Sequence, residues 1–478
     1  MRFLLLIFVG LLLLMLTLEL LDGLTTAEWD ELRRFVQFRF PRLRQDVFVC
    51  MELLQKKRSV GLSREAIHQG MFPNAPFNDK VIRYLLTDVN RCVSEYLVFK
   101  QLQKDPQRKQ QLLLQELSDR KCMKAFEKTY RQEMSALDSG QQVDSKALLN
   151  RYELYSLKAK EELSRGKRSS DVFEESSLFL DLYFVAKKLQ ISAEKINLNY
   201  ILRKEWNDPF LKNILEQVDQ GLFGHSPYIR LYRLIIQSLT EPDNEEVFVL
   251  LKKEVPELMG RLSASELSDL YQYLLNYCIR KINAGRLVFQ KELLAVYQSA
   301  LEHGALMSNG VLSQWDFKNV VTISLRTGNL DYARHFIHGH KQHLPAAQRP
   351  NALAYNLANL HFSEKNYRAA IKQLQKVDLD DVFYRLDARS ILLKSFYELD
   401  DTDALFYHAS AFRSFLNRNR TISDQQRKLY LNLINHTLSL SRSGAEKGKL
   451  DTIKARIAKN PNVADLSWLE SKLAELGA

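Results

Sequence analysis

The densest group of side chains able to do chemistry is a histidine cluster in the stretch HFIHGHKQH, made of His335, His338, His340 and His343. His335 and His338 are three residues apart and would share a helix face, where imidazoles can bind Zn²⁺ or Ni²⁺. Alternatively, a helix ends at Gly339, where the negative end of the helix dipole favours histidine. Because the cluster contains no carboxylate or thiolate, we expect no functional metal site and no cofactor.

Motifs of known catalytic chemistry are missing from the sequence. It contains no G-x-S-x-G, no P-loop, no H-E-x-x-H and no G-x-G-x-x-G after a predicted strand. Scattered Asp and Glu residues could still meet in three dimensions, so an undetected enzyme stays an alternative. Buried acidic groups with perturbed pKa values in a deep pocket would indicate one. The leading expectation is a protein that is not an enzyme.

The elements that must position any site are predicted to be helices. Gly 17 and Pro 11 are few in 478 residues, and long runs of Leu, Lys, Glu, Gln, Ala and Arg favour helix. Two capping boxes, Thr25-x-x-Glu28 and Ser263-x-x-Glu266, predict helix starts in which hydroxyl and carboxylate satisfy free backbone N–H groups. The sequence therefore predicts an all-α fold.

A repeated pattern organises the C-terminal half. The stretch NALAYNLANLHFSEKNYRAAIKQLQKVD predicts two antiparallel helices, in which Ala358 and Ala370 let the backbones approach. Ala333 and Leu405 stand at the position of Ala370 in the units before and after, at intervals of 37 and 35 residues. The recurrence predicts an α-solenoid of stacked helix-turn-helix units.

Residues 313–417 resemble tetratricopeptide repeats, whose period is about 34 residues. The whole arrangement is similar to a group of uncharacterised bacterial helical-repeat proteins. That similarity is carried by LLDGLTTAEWDELRRFVQFRFPR, DVFVCMELL, APFNDKVIRYLLTDVNRCVSEYLVF and NYCIRKINAG. The resemblance implies an all-helical superhelix with a scaffold or adaptor role and no established activity.

The repeat register predicts a binding groove, because the first helix of each pair lines the concave surface of such a solenoid. Amide, lysine and aromatic side chains there would contact a protein or peptide partner. The predicted groove residues are Trp315, Lys318, Asn319, Thr322, Tyr355, Asn356, Asn359, Ser390 and Lys394.

The repeat family's best-defined peptide binders use a clamp of Lys, Asn and Arg. Lys318 and Asn356 match clamp positions, whereas Thr322, Asp387 and Ile391 replace the Asn, Lys and Arg that the clamp requires. The departures argue against capture of a C-terminal carboxylate in that way.

The sequence divides into five segments. We expect a hydrophobic N-terminal segment (1–19), a helical N-terminal region (20–103), a charged helical connector (104–177), the solenoid (178–442) and C-terminal capping helices (443–478). SRGKRSSDVFEESS, from Ser164 to Ser177, is the expected linker because it combines Gly with Ser.

The uncharged run from Phe3 to Leu18 has three interpretations: a membrane anchor or signal, an extension before a true start at Met15, or a helix buried in the fold. A membrane-anchored structural protein is accordingly an alternative function. The location is expected to be cytoplasmic or anchored to the inner membrane.

The net charge of +11 and pI of about 9.2 raise the question of nucleic-acid binding. Lys and Arg alternate with Glu and Asp along the helices, as in KKEVPELMGR, which is typical of solvated faces. No known nucleic-acid-binding module is present. We therefore expect a protein partner and no nucleic acid.

Overall fold

A computed structural model describes residues 2–56, 62–167, 170–202, 208–375, 382–443 and 446–477, with the side chains of residues 2–11, 170, 200–202, 383 and 447 excepted. The chain is about 79% helical, which confirms the all-α class. Within the described residues, the strands are limited to β1 (Met307–Ser308) and β2 (Val311–Leu312), an antiparallel pair. Asn309 and Gly310 turn between them with φ of 51° and 77°, as an Asn-Gly hairpin requires.

The chain forms two compact units, one of Met1–Gly140 with Leu149–Leu180 and one of Gln141–Leu148 with Asp181–Ala478. The helices that begin in the first stretch are α1 (Arg2–Asp22), α2 (Thr26–Arg39), α3 (Gln45–Lys56), α4 (Arg64–Met71), α5 (Asp79–Lys104), α6 (Pro106–Asp119) and α7 (Met123–Ser139). Two further helices, each with residues in both units, are α8 (Ser145–Ser164) and α9 (Ser170–Leu202).

The core of the first unit forms where α1, α2, α3 and α4 pack against α5. Thr25 caps α2 as predicted, with its hydroxyl accepting from the Glu28 N–H and the Glu28 carboxylate accepting from the Thr25 N–H. Leu14 and Leu21 of α1 are buried in this core. The hydrophobic N-terminal segment therefore packs against the core of the first unit through the described part of α1.

The second unit contains the repeated region. Its remaining helices are α10 (Leu211–Asp219), α11 (Pro227–Thr240), α12 (Glu245–Glu257), α13 (Ala264–Asn283), α14 (Phe289–Glu302), α15 (Gln314–Arg326), α16 (Leu330–His340), α17 (Arg349–Ser363), α18 (Tyr367–Leu374), α19 (Val382–Glu398), α20 (Thr402–Arg418), α21 (Asp424–Ser443), α22 (Lys447–Lys459) and α23 (Leu466–Gly477). A short 3₁₀ turn, Lys341–His343, follows α16.

Helix packing in this unit follows the chain. Each of α15, α17, α19 and α21 packs against the helix that follows it, and consecutive members of this set also pack against one another. The repeat positions Ala333, Ala358, Ala370 and Leu405 are at most 1% exposed. Small side chains at such positions allow close helix contact, as the sequence predicted.

Two local features differ from the sequence-based expectation. Helix α9 begins at Ser170, so most of the linker expected over Ser164–Ser177 is helical; Arg165–Lys167 is not, and residues 168–169 lie outside the described part. Gly339 lies inside α16, which continues to His340. Gly304, by contrast, follows α14 with φ of 69°, the left-handed conformation expected of a glycine after a helix.

Candidate functional site

All nine predicted groove residues lie on α15, α17 and α19, which together with α21 we call the first-helix row. Trp315, Lys318, Asn319 and Thr322 belong to α15, Tyr355, Asn356 and Asn359 to α17, and Ser390 and Lys394 to α19. The structure does not leave these side chains equally accessible. Several of them bind other residues of the same chain.

Lys318 is held in a cage of aromatic rings. Its Nζ lies 5.9 Å from the ring centroid of Trp315, 5.3 Å from that of Tyr355 and 5.0 Å from that of Tyr384. Each ring face attracts a cation, and Asp387 completes the cage with an ion pair to Lys318. Lys318 therefore joins α15 to α17 and α19.

Asp387 is the acceptor for three side chains at the centre of the row. Besides Lys318, it accepts a hydrogen bond from Tyr430 at 3.0 Å and a long one from Tyr355 at 3.4 Å. Burial raises the pKa of Tyr430, and the negative charge of Asp387 raises it further, which keeps this hydroxyl a donor. The carboxylate that replaces a clamp lysine in the sequence thus has a clear structural role.

Lys394 binds a carboxylate that comes from the C-terminal part of the chain. Its Nζ lies 2.7 Å from Oδ2 of Asp465, which also accepts from the Ser390 hydroxyl at 2.7 Å. Desolvation acts to raise the pKa of Asp465, but the charge of Lys394 and the two hydrogen bonds outweigh it, so this pKa is lowered. Lys394 is also 4.8 Å from the ring centroid of Phe362.

The residues around Asp465 attach to α21 by backbone contacts. The Ala464 N–H donates to the Leu429 carbonyl at 3.2 Å, and the Asn432 amide donates to the Asn462 carbonyl at 2.8 Å. Val463 is buried in an apolar core formed by residues of α19 to α23. The turn between α22 and α23 is therefore bound along two helices of the row.

The three predicted asparagines occupy different environments. Asn356 is fully buried and donates to the Ala352 carbonyl at 2.8 Å, so it lies in the packing of α17 rather than on a surface. Asn359 is half-buried and donates to the Tyr355 hydroxyl at 3.3 Å. Asn319 is exposed. Of the three, Asn319 is the most accessible to a partner.

Trp315 is the predicted groove residue with a cavity beside it. The tryptophan is 40% exposed and lines a cavity of about 430 Å³ next to the hairpin of β1 and β2. Met307 and Val311 from the hairpin and Pro345 from the turn before α17 contribute to the wall. An exposed indole beside an apolar concavity is a frequent anchor point in protein interfaces.

Sequence reasoning missed Tyr384, Tyr430 and Asp465, and it identified Asp387 only as a departure from a clamp. The partners of Lys318 and Lys394 are 69 and 71 residues away in sequence. No local pattern links residues so far apart. A search for unpaired acidic residues on predicted first helices would have found Asp387 but not Asp465.

The four histidines of the predicted cluster do not form a metal site. His335 binds the Asp331 carbonyl at 2.7 Å, and His343 binds the Gly310 carbonyl at 3.1 Å. His340 stacks on Phe336, with its ring centroid 6.0 Å from that of His343. Across the described part of the chain, no three His, Cys, Asp or Glu side chains converge as metal ligands.

Glu266 forms the clearest buried acidic site of the second unit. It accepts hydrogen bonds from Tyr228 at 2.7 Å and Ser145 at 3.2 Å, and burial raises its pKa. Burial also raises the pKa of Asp269, one turn further along α13. The Ser263 hydroxyl still caps α13 by accepting from the Glu266 N–H, but the carboxylate binds tertiary partners instead of completing the predicted box.

Comparison of the chain with models of known protein families, with curated proteins and with solved structures finds no match.

Proposed function

We propose that the protein is a non-enzymatic interaction scaffold, a tetratricopeptide-like α-solenoid whose first-helix row binds a segment of a protein partner. The observation that carries the proposal is the attachment of residues 462–465 to this row. Lys394 and Ser390 bind the Asp465 carboxylate, while Leu429 and Asn432 bind the adjacent backbone. Main-chain hydrogen bonds and capture of a carboxylate are recurring ways in which proteins bind peptide segments.

The free part of the row lies at the α15 end. Lys318 and Lys394 are engaged by Asp387 and Asp465, whereas Trp315 is 40% exposed beside its cavity. We expect a partner to insert an apolar side chain into this cavity and to contact Asn319 nearby. Large aromatic anchors next to concave surfaces contribute much of the binding energy in protein interfaces.

Site-specific photocrosslinking tests the proposal for a protein partner of any identity. A photoreactive amino acid is placed at Trp315 in the full chain, expressed in its native host. The matched control is the same group at Tyr407, which is 81% exposed on α20, outside the row. Discrete crosslinked protein from Trp315 and not from Tyr407 supports the proposal. Identical products from both positions, or none from Trp315, would refute it.

Lys318 and Asn356 are less suitable targets for that test. Lys318 connects three helices through its aromatic cage, and Asn356 is fully buried. Replacing either by Ala would change the packing of the row. A loss of partner binding in such a variant could then result from a folding defect.

Membrane association is a second candidate function because one side of α1 is apolar and exposed. Leu12, Met15 and Leu16 are 49%, 61% and 45% exposed, opposite the buried Leu14 and Thr17. Among the side chains that the structure describes, no helix is both long and apolar enough to cross a membrane. Apolar side chains on such a face would lie in a lipid interface.

Vesicle flotation distinguishes the membrane candidate. The full chain should float with vesicles containing anionic lipid, and a Met15→Glu, Leu16→Glu variant should float less. Recovery of the unaltered chain at the bottom of the gradient would exclude this candidate.

The enzyme alternative would depend on Glu266 and Asp269, but the Glu266 carboxylate already accepts hydrogen bonds from two hydroxyls of the protein, which favours a structural role.

A further inference from the structure

An arginine-lined cavity of about 640 Å³ is built by α19, α20 and the turn after α20. Arg385 and Arg389 lie one turn apart on α19, Arg418 ends α20, and Arg420 follows it. Within the described part of the chain, no Asp or Glu lines this cavity. Its volume falls in the range of about 300–1,000 Å³ that is usual for ligand sites.

Three of the four arginines that line this cavity lack the carboxylate partners found elsewhere in the described part of the unit. Arg389, Arg418 and Arg420 form no ion pair with a carboxylate among the described residues. Other arginines of the second unit do, in the pairs Arg230–Glu254, Arg233–Asp219, Arg334–Glu364 and Arg427–Asp424. Positive charge is therefore concentrated at this cavity and is not spread evenly over the surface of the unit.

Arg389 is held in position by packing. Its guanidinium carbon lies 4.6 Å from the ring centroid of Phe415, and its backbone carbonyl accepts from Nε2 of the buried His408 at 2.9 Å. Burial lowers the pKa of Arg389, and the charge of Arg385 lowers it further. Keeping the Arg389 guanidinium charged at this buried position costs free energy that a bound anion would offset.

We propose that this cavity binds a phosphate-bearing anion, with Arg389 and Arg418 as the main contacts. The planar guanidinium presents a fork of donors that matches phosphate oxygens in bidentate pairs, and stacking on an aromatic ring fixes the plane of that fork. A multiply charged phosphate satisfies several arginines at once, whereas a single carboxylate carries one charge. This site is separate from the Trp315 cavity and does not depend on the proposed scaffold function.

Isothermal titration of the full chain with sodium pyrophosphate at low ionic strength tests the site. We expect Arg389→Gln, Arg418→Gln to bind about tenfold more weakly or worse, because two bidentate contacts are lost. The matched control is Arg413→Gln on the same helix, since Arg413 donates to the Asn435 amide at 2.6 Å and does not line the cavity. Absence of binding by the unaltered chain, or an equal loss in the control, would overturn the proposal.

A variant at an exposed position separates binding from stability. Arg418 is exposed, so Arg418→Gln alone should keep the melting temperature and still weaken pyrophosphate binding severalfold. If Arg418→Gln binds pyrophosphate as tightly as the unaltered chain does, and the double variant does not fold, the proposed site is refuted.

Two further probes identify the source of the phosphate. A phosphoserine peptide that displaces pyrophosphate would assign the cavity to a phosphorylated protein segment. Pyrophosphate binding without displacement by the peptide would assign it to a free phosphate ester. Citrate, which carries carboxylates only, should bind much more weakly, and equal binding of citrate would overturn the phosphate assignment.

Discussion

The Nζ of Lys394 lies 2.7 Å from Oδ2 of Asp465, although 71 positions separate the two residues in sequence. This ion pair attaches the turn between α22 and α23 to α19. It also shows that a lysine of the first-helix row holds a carboxylate, here one from the same chain.

Loss of this pair should destabilise the second unit and change its pH dependence. Asp465→Asn keeps a residue that tolerates the positive φ of 50° and removes the charge, at a cost of about 1 kcal/mol. The folded-state pKa of Asp465 is lowered. The contribution of this carboxylate to the free energy of unfolding is therefore present above the unfolded pKa and is lost as pH falls through the folded pKa. Urea unfolding at pH 7 and at pH 3 measures the difference.

The control for that experiment is Lys212→Met, which removes a pair with Glu216 whose side chains are 85% and 56% exposed. It should change the free energy of unfolding by less than about 0.5 kcal/mol. A loss in Asp465→Asn no larger than in the control would contradict the importance of the Lys394 contact.

Close packing within the repeats can be tested at Ala370. This residue is fully buried, and Ala370→Leu should cost about 1–3 kcal/mol because the added carbons push α18 away from its neighbours. Ala369→Leu is the matched control, since Ala369 lies next to Ala370 in the chain and is only partly buried. Thermal and urea denaturation of both variants should separate them clearly. Equal stabilities would mean that the helices do not require a small residue here.

Glu266 should be more important as a hydrogen-bond acceptor than as a charge. Glu266→Ala leaves the buried hydroxyl of Tyr228 without its acceptor and should cost about 1–3 kcal/mol at pH 7, whereas Glu266→Gln should cost less. The raised pKa of Glu266 means that its contribution to stability decreases as pH rises from the unfolded pKa to the folded one. Parallel urea titrations at pH 4.5 and pH 7 compare the two variants, and equal losses would refute this interpretation.

Acidification should weaken the α19–α20 packing through His408. The residue is 9% exposed and burial lowers its pKa, so over part of the acid range the unfolded chain binds a proton that the folded chain does not. Stability should be independent of this group above the unfolded pKa and should fall by at most about 1.4 kcal/mol per pH unit below it.

A His408→Gln variant should therefore lose less stability than the unaltered chain between pH 7.5 and about pH 5.5, the range around an ordinary histidine pKa. His335→Gln, at an exposed position of α16, is the matched control. If both variants follow the unaltered chain, His408 does not contribute to the acid sensitivity.

Local sequence determined the helical class and several helix ends. The Thr25 and Glu28 box formed as predicted because both partners lie within one turn, and the small residues at Ala333, Ala358 and Ala370 are buried at the predicted interval. These features depend on neighbours along the chain or on periodic apolar positions. Such information is present in the sequence itself.

Tertiary structure alone decided which partners the side chains of the candidate site bind. Lys318 and Lys394 were predicted as partner-binding residues, yet Asp387 and Asp465 bind them from 69 and 71 residues away. Glu266 left its predicted box for the hydroxyls of Tyr228 and Ser145. A charged side chain takes whichever partner the fold brings within hydrogen-bond distance, and sequence spacing does not encode contacts of that length.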